Sequence, residues 1–302
     1  MTQGSEAAPA GAGWSGRSEP VAERLSQLAG VPVAACQLTG SEHGARHYRA
    51  ALADGRELFV KEAADPASSA ALAAEARGLR WIGAAGAVPV PGSLFDGAGL
   101  LALDWIRQSS ADRAAAEAFG RDLARLHAAG SEHFGAPWPG FIASLPLPSD
   151  EADSWPGWYA RCRLLPYCRH ARDAGTLRTA DVALVETVAA SIGDLAGPAE
   201  PPSRIHGDCW SGNVIWSGGR GWLIDPAAHG GHRETDLAML ALFGAPFLGR
   251  ILAAYGEETP LADGWRARVP LHQLHPLLVH VCLFGAGYRE SALAAARAAL
   301  SA

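Results

Sequence analysis

The sequence contains only one lysine, Lys61, among its 25 basic residues, and the other 24 are arginines. A bias that replaces lysine by arginine wherever arginine will serve retains lysine where a compact ammonium is required. The surviving lysine is therefore a candidate functional residue, and chance is the alternative explanation.

Cysteine is scarce as well, since the 302 residues include five cysteines, an odd number without a Cys-x-x-Cys pair. This pattern argues against a disulfide framework and a cysteine-based zinc site, and it predicts reduced thiols in a cytoplasmic protein.

No apolar run approaches the ~18 residues of a membrane span, so we expect no membrane partner. The N-terminal residues lack the basic and apolar regions of a secretory signal, so we expect no signal peptide.

Charge of either sign is modest, with 19% charged residues and a formal net charge of −6. A mildly acidic chain lacks the electrostatic footprint of a nucleic-acid binder, so we expect no nucleic-acid partner. The length suggests roughly two domains, and a chain of this size buries a large core without metal or disulfide staples. The sequence does not indicate an oligomeric state.

The distribution of residue types predicts an α+β protein with a small β-rich part followed by a larger helical part. Residues 1–19 are rich in Gly, Ala, Ser and Pro, which is typical of a flexible tail. Residues 20–106 are expected to form an N-terminal nucleotide-binding lobe, and residues 107–302 a C-terminal catalytic and acceptor-binding lobe. The predicted strands of the first part are Val33–Leu38, Arg46–Leu52, Glu57–Lys61 and Leu100–Ile106, with a loop at Gly40–Gly44 and a helix over 68–82. The predicted helices of the second part are Asp112–His127, Trp155–Ala171, Thr179–Leu195, Asp236–Phe243, Phe247–Tyr255, Leu271–Tyr288 and Ser291–Leu300.

The strongest local motif is HGDCWSGN at 206–213, followed by a further aspartate, Asp225. Phosphoryl transfer needs a carboxylate to accept the proton of the attacking hydroxyl, and oxygen ligands for the divalent ion that bridges the phosphates. Asp208 suits the first role, whereas Asn213 and Asp225 supply hard oxygen donors for Mg²⁺. Asx turns between short strands would explain the single residues, but they explain the complete spaced set poorly.

An upstream pair of residues points to the same chemistry. Lys61 ends an apolar strand, and Glu75 lies between Leu72 and Leu79 on the inward face of the predicted helix. A carboxylate turned toward a core is costly unless it is paired, so we expect an ion pair with Lys61 that aims the ammonium at nucleotide phosphates. The alternative is that Glu75 is solvated or pairs with a nearby arginine such as Arg80.

These motifs resemble the fructosamine kinase (ketosamine-3-kinase) family, which has a two-lobe protein-kinase-like fold. The resemblance runs from about Val33 to the C-terminus. Its most specific pieces are HGDCWSGN (206–213), IDPAAHGGHRETDLAM (224–239), FGRDLARLH (119–127), HFGAPWPGFIASLPLP (133–148) and SWPGWYARCRLLP (154–166). The shorter pattern H-x-D-x₄-N is shared with aminoglycoside, choline and homoserine kinase-like enzymes.

The resemblance implies an ATP- and Mg²⁺-dependent kinase that phosphorylates the sugar 3-hydroxyl of free or protein-bound ketosamines, with a deglycation role. It implies Asp208 as the catalytic base, and Asn213 with Asp225 as metal ligands. It also implies that Lys61 and Glu75 orient the phosphates. The backbone of Asp104 and Ile106, in the connection between the lobes, would hold adenine.

Two features depart from the family's pattern. The expected phosphate loop offers only Gly40 and Gly44, although its backbone N–H groups could still cover the phosphates, and an ordinary β-turn is the alternative. In addition, Ser149 and Asp150 follow the LPLP stretch where an asparagine is expected, which leaves the details of the substrate side open.

Other residues near the motif have both functional and structural interpretations. Trp210 lies between the base and a metal ligand, so its ring is expected to form a wall of the acceptor site. Arg233 and Glu234 are assigned to the acceptor side, with a purely structural ion pair as the alternative. Cys209 beside the base could be a site of oxidation, although packing explains it equally well.

Several polar residues are expected to be structural. His206 should hydrogen-bond beneath the catalytic loop, and Asp236 should cap the helix that it begins and hold the catalytic loop. His272, His275 and His280 are not spaced as metal ligands with a carboxylate, and we expect them on a helix surface.

The sequence is compatible with two other functions. An aminoglycoside- or choline-type small-molecule kinase shares the shorter motif, and a catalytically inactive scaffold would bind nucleotide or partners only. A scaffold would be expected to lack the lysine, the base or the metal positions, whereas Lys61, Asp208, Asn213 and Asp225 are all present.

Overall fold

The computed structural model describes residues 19–302, so the predicted tail lies outside the described residues except for Glu19, which begins the first helix. The described chain forms two compact units. The first contains the residues up to Leu72 together with Gly92–Trp105, and the second contains Ala73–Pro91 together with Ile106–Ala302. The segment 73–91, which was expected in the N-terminal lobe, therefore makes its contacts mainly within the second unit.

The first unit is built on a five-stranded antiparallel sheet in the order β1-β2-β3-β5-β4. Its elements are α1 (Glu19–Ala29), β1 (Val33–Glu42), β2 (Ala45–Leu52), β3 (Glu57–Ala63), β4 (Ser93–Gly97) and β5 (Leu100–Asp104). Helix α1, which the sequence analysis missed, contributes Val21 and Leu25, one turn apart, to a core with Tyr48, Leu58 and Val60 of the sheet. This core fixes the strands that hold the candidate nucleotide-binding residues.

The predicted loop at Gly40–Gly44 is wrong, because β1 continues to Glu42 and pairs directly with Ala45. The connection is a two-residue turn in which His43 and Gly44 have φ of 49° and 79°. Positive φ at both positions is the signature of a type I′ hairpin, whose twist matches that of the flanking strands. Gly40 lies within β1, next to a register shift after Leu38.

Helix α2 (Pro66–Gly83) confirms the helix predicted over 68–82 and begins two residues earlier. Asp65 precedes it and accepts a hydrogen bond of 2.8 Å from the backbone N–H of Ser68, the contact that an N-cap carboxylate makes with the first turn. Residues up to Leu72 belong to the first unit, whereas the rest of the helix belongs to the second. Near its C-terminal end, Gly78 leaves room for a close approach by Pro226, whose Cγ would lie 3.1 Å from a Cβ at that position.

The second unit is mainly helical and contains three short antiparallel strand pairs. Its helices are α3 (Arg113–Ala128), α4 (Trp155–Tyr159), α5 (Leu165–Asp173), α6 (Thr179–Leu195), α7 (Glu234–Leu242), α8 (Leu248–Glu258), α9 (Trp265–Phe284) and α10 (Arg289–Leu300). The strands are β6 (Gly140–Ile142), β7 (Leu145–Leu147), β8 (Ser203–Ile205), β9 (Val214–Ser217), β10 (Arg220–Leu223) and β11 (His229–Gly231), paired as β6–β7, β9–β10 and β8–β11. A turn of π-helix, Ala160–Leu164, joins α4 to α5.

The apolar spacing predicted on α3 is confirmed, because Phe119, Leu123 and Leu126 are all fully buried. Phe119 packs edge-on against Trp216 of β9, with ring centroids 5.7 Å apart. This core lies directly behind the strand pair β9–β10, so it supports the loop that precedes β9 and the segment that follows β10.

Helix α9 differs from the prediction, because it begins at Trp265 and its histidines His272 and His275 are buried instead of lying on the surface. His280 is half-buried. The helix packs against α7 and α10. Positions that the sequence of α9 alone assigns to the surface are therefore covered by these neighbouring helices. Among the described residues, Trp265–Leu300 has the length and hydropathy of a membrane span, which is weak support because core helices share these properties.

Candidate active site

The loop between β8 and β9 holds the sequence motif, and its geometry depends on Gly207. This residue has φ of 81°, and a Cβ there would lie 2.3 Å from the carbonyl oxygen of Ala227. Both observations exclude a larger residue without local movement. The close approach holds the loop against the segment that follows Asp225.

Asp208 and Asn213 are joined within this loop. The side-chain amide of Asn213 donates to Oδ2 of Asp208 and to its carbonyl oxygen, both at 2.9 Å. The backbone N–H of Asn213 also donates to the carbonyl of Trp210, which closes the turn. The carboxylate of Asp208 is therefore held in one orientation, with Oδ2 engaged by Asn213.

The environment of Asp208 suits a general base. Although part of the residue remains accessible to solvent, desolvation by the surrounding protein raises the pKa of its carboxyl from 3.8 to about 7. The hydrogen bond from Asn213 opposes this rise, and the charges of Asp225 and Asp236 add to it. A base with a pKa near neutrality combines an adequate ionised fraction with a strong pull on the proton.

Asp225 follows β10 on a backbone of positive φ, 52°, which aspartate tolerates better than most residues. The preceding residue, Ile224, donates its N–H to the carbonyl of Asn213 at 3.1 Å, so the two candidate metal ligands belong to backbone segments that are hydrogen-bonded to each other. Because the amide nitrogen of Asn213 is used by Asp208, its carbonyl oxygen is the atom suited to a metal. Together with the exposed Asp225 carboxylate, this gives the hard oxygen set that Mg²⁺ prefers.

His206 has the structural role that the sequence predicted. Its Nε2 lies 2.8 Å from the carbonyl of Ile224, so Nε2 carries the hydrogen, and Nδ1 accepts from the N–H of Asp208 at 3.3 Å. Burial lowers the pKa of His206, which keeps the ring neutral. This neutral ring ties the catalytic loop to the segment that bears Asp225.

Asp236 anchors the catalytic loop but does not cap α7. The helix begins at Glu234 and Asp236 lies in its first turn, so the predicted cap is wrong. Its two carboxylate oxygens accept from the N–H groups of His206 at 2.7 Å and Gly207 at 2.9 Å. Burial alone would raise the pKa of Asp236, but the hydrogen bond and charge of His127 hold it below its ordinary value.

His127 and Tyr255 complete this anchor, and the sequence analysis did not single them out. His127 Nε2 lies 3.1 Å from Asp236, and its Nδ1 lies 2.9 Å from the hydroxyl of Tyr255. His127 lies in the last turn of α3, next to the buried Leu126. Its place at the end of the apolar face was the one indication in the sequence that it would be buried.

Among the described residues, Trp210 is one of the few large apolar residues that are exposed, with 37% of its surface accessible. Its ring covers Gly212, where a Cβ would lie 2.2 Å from it, and it meets Phe243 edge-on at 5.9 Å. An accessible aromatic face two residues from Asp208 is compatible with a wall of the acceptor site. That role stays a prediction.

Arg233 and Glu234 are engaged in ion pairs within the protein. Arg233 donates through Nε and Nη2 to both oxygens of Glu200, at 2.7 and 2.6 Å. Glu234 is buried and accepts from Nε and Nη2 of Arg268 at 2.9 and 2.6 Å. These bidentate contacts favour the structural alternative over a direct acceptor role.

The candidate nucleotide-binding residues of the first unit lie on its sheet. Lys61 is buried in β3 between His47 of β2 and Leu101 of β5, with Nζ 5.9 Å from the centre of the Phe59 ring. Asp104 ends β5, and its N–H donates to the carbonyl of Gly92 at 2.9 Å.

Glu75 and Ile106 belong to the second unit, and both are half-buried. Glu75 lies on α2 between the buried residues Leu72 and Leu79, as predicted for an inward face. The ion pair of Glu75 with Lys61 and the adenine contact of Ile106 stay predictions.

Cys209 is fully buried and lies next to Asp208, the candidate base. Burial raises the pKa of its thiol well above the ordinary value, and the charges of Asp236 and Asp208 add to this effect. Because the thiolate is the form that reacts, these surroundings favour packing over oxidation.

Comparison with known proteins agrees with the motif. A profile of the fructosamine kinase family matches residues 18–302. A Synechocystis protein named "probable ketoamine kinase" is 31% identical over 284 residues, which cover 91% of this chain and 94% of the relative. A Thermus thermophilus protein of the same name is 35% identical over 76% of this chain and 83% of its own length.

Solved structures give the same result for the fold. The crystal structure of a proposed fructosamine-3-kinase from Thermobifida fusca has a TM-score of 0.91 and 52% identity, and covers 93% of this chain and 99% of the other. Choline kinase from Streptococcus pneumoniae has a TM-score of 0.65 at 17% identity, covering 94% of this chain and 99% of the other, which shows the fold alone. The predicted protein-kinase-like fold class is confirmed.

Proposed function

The chain belongs to the fructosamine kinase family, and on that premise we propose that it transfers the γ-phosphoryl group of ATP to the 3-hydroxyl of a ketosamine. The observation that carries the proposal is the hydrogen bond from Asn213 to Asp208, next to the backbone contact that brings in Asp225. These three residues would thus combine an oriented base with oxygen ligands for a metal ion. Phosphoryl transfer depends on these two features more than on covalent catalysis.

Asp208 would act as the base. Its Oδ2 is held by Asn213, so Oδ1 would accept the proton of the sugar hydroxyl as the oxygen attacks phosphorus. The charges of Asp225 and Asp236 disfavour the ionised form of Asp208, so both carboxylates increase its affinity for that proton.

The carbonyl oxygen of Asn213 and the carboxylate of Asp225 would hold Mg²⁺. When bound, the ion would neutralise charge on the phosphates. The amide nitrogen of Asn213 meanwhile stays on Asp208, so this single side chain would link the ligand set to the base.

ATP would be bound by the residues that the family resemblance points to. Lys61, oriented by Glu75, would contact phosphates as a compact charge. The backbone of Asp104 and Ile106 would bind adenine. The type I′ turn at Gly44, with Gly40 on the same hairpin, would supply backbone N–H groups to the phosphates.

The acceptor would pack its sugar on the exposed ring of Trp210. A 3-phosphate makes the sugar adduct prone to elimination, which frees the amine. The activity would therefore serve deglycation of proteins or use of small glycated amines, in the cytoplasm.

The decisive experiment measures ATP turnover on a panel of fructosyl-lysine, ribulosyl-lysine, a glycated protein, choline and kanamycin. We expect turnover on the ketosamines. Asp208→Ala should reduce kcat by about 10³-fold, within the range for a lost general base, while nucleotide binding persists. Asp194→Ala, which removes an exposed aspartate of α6, is the matched control. Turnover confined to choline or kanamycin would refute the proposal.

A further inference from the structure

A buried arginine in the second unit has no carboxylate opposite it. Arg163 lies in the π-helical turn, is 2% exposed, and stacks on the ring of Trp158 at 4.3 Å. Its guanidinium donates to the carbonyls of Pro148 and Cys162 and, at 3.4 Å, to Oγ of Ser149, whereas its Nε has no hydrogen-bond partner. Ion pairs found among residues 19–302 do not include Arg163.

Two other arginines of the same unit, the buried Arg268 and the half-buried Arg233, are neutralised. Arg268 and Arg233 each donate two hydrogen bonds to one glutamate, Glu234 and Glu200. Hydrogen bonds to neutral carbonyls solvate a guanidinium only partly, and a buried charge without a counter-charge is costly. Burial accordingly lowers the pKa of Arg163 to about 10.

Arg163 borders a small cavity. The walls are formed by aromatic and histidine side chains and by Gly207 of the catalytic loop; the side chains include Trp155, Trp158, Tyr159, His229 and His275. The space accommodates about one water-sized particle. Nε2 of His275 is a second buried polar atom without a hydrogen-bond partner.

The lining of the cavity carries positive charge only. Burial lowers the pKa of His229 and of His275 well below the ordinary value, and the charge of Arg163 adds to both shifts, so both rings are neutral. His229 uses its Nδ1–H on the carbonyl of Ala227 at 2.7 Å. The hydroxyl of Tyr159 donates to the carbonyl of Leu271 at 2.8 Å. No aspartate or glutamate is among the lining residues.

We propose that this cavity binds one monatomic halide ion, chloride under ordinary conditions, held by Nε of Arg163 and by the Nε2–H tautomer of His275. In a space for about one water molecule, a monatomic anion is the smallest species that supplies a counter-charge, whereas phosphate and carboxylate are larger; this separates the site from the phosphate chemistry proposed for Asp208. A water molecule would fit, but it would leave the charge of Arg163 uncompensated. The ion would stabilise the second unit without entering the reaction.

The test replaces sodium gluconate by sodium chloride at constant ionic strength and follows the midpoint of thermal unfolding. Gluconate is too large for the cavity, so the wild-type midpoint should rise saturably by about 3 °C in chloride, because a ligand that binds only the folded state stabilises it. Arg163→Gln should abolish this dependence, and His275→Leu should raise the chloride concentration needed. The matched control Arg289→Gln breaks an arginine pair with Asp181 elsewhere in the unit, and should retain the full chloride effect.

Crystals of the wild type grown in bromide provide a test that does not depend on a variant folding. We expect an anomalous peak within hydrogen-bonding distance of Arg163 Nε. A cavity that holds only water, or a chloride effect in Arg163→Gln and His275→Leu as large as that of the wild type, would overturn the proposal. A bromide peak without any saturable chloride effect in solution would identify an adventitious ion only, and would overturn it as well.

Discussion

Asn213 donates two hydrogen bonds to Asp208 from one amide nitrogen, one to the carboxylate and one to the main-chain carbonyl, each 2.9 Å long. The first orients the side chain and the second fixes the backbone from which it projects. Burial pushes the pKa of Asp208 upward while the hydrogen bond to its carboxylate pushes it downward. The balance places the pKa of Asp208 at about 7.

The acid limb of the pH–rate profile should therefore have a midpoint near pH 7. Asp208 must be ionised to accept a proton, so kcat/KM should fall about tenfold per pH unit below its pKa of about 7. The measurement is kcat/KM for a ketosamine between pH 5 and 9 at saturating ATP. A limb with its midpoint near pH 4 would show that the desolvation of Asp208 is not present in solution.

Replacing Asp208 by asparagine should stabilise the fold at alkaline pH. The raised pKa means that the folded state holds a proton more tightly than the unfolded state between pH 3.8 and about 7, so wild-type stability falls as the pH rises through this window. A neutral asparagine that still accepts from Asn213 avoids this loss. We expect a higher thermal midpoint for Asp208→Asn at pH 8 and little difference at pH 4.

The control for Asp208→Asn is the same substitution at an exposed aspartate. Asp194→Asn on α6 should leave the midpoint unchanged at both pH values. An equal gain in both variants would point to net charge instead of the desolvated active-site carboxylate.

Gly207→Ala should disable the catalytic loop. The new Cβ would clash with the carbonyl of Ala227, and the positive φ adds strain, so we expect a loss of about 3 kcal/mol or more in unfolding free energy. Urea denaturation measures this change. Gly249→Ala is the control, because that helical glycine faces open space and the substitution should stabilise by about 0.5–1 kcal/mol.

Asp236→Asn should loosen the same loop from its other side. Both carboxylate oxygens accept backbone N–H groups, from His206 and Gly207, so an amide nitrogen in place of either oxygen faces a donor. Leaving such buried groups unpaired should cost about 3 kcal/mol in unfolding free energy and lower kcat more than the KM for ATP. Unchanged stability would mean that the anchor is dispensable.

Lys61→Arg should impair nucleotide use although the charge is kept. A planar guanidinium does not replace a compact ammonium in the buried site within β3, so we expect the KM for ATP to rise about tenfold or more. Steady-state kinetics with varied ATP tests this, with Lys61→Met to separate shape from charge. An arginine variant with wild-type kinetics would remove the argument made from the single lysine.

Much of the fold followed from local patterns. The apolar face of α3 and the boundaries of α6 match the predictions, because both helices bury a regular stripe of residues. The loop predicted at Gly40–Gly44 failed, and its alternative, a β-turn, is what the structure contains, because Gly44 serves a tight hairpin turn whose geometry depends on the register of the two strands.

The sequence by itself determined the chemistry of the loop: Asp208, Trp210 and Asn213 lie within six positions, and a turn this short constrains how far apart they can be. Only the tertiary structure decided what surrounds that loop. Asp236 meets its backbone from 30 residues along the chain, His127 in turn contacts the Asp236 carboxylate, and Arg163 and His275 both line one cavity. Burial, and the pKa values that follow from it, depend on packing between distant segments, which no local pattern specifies.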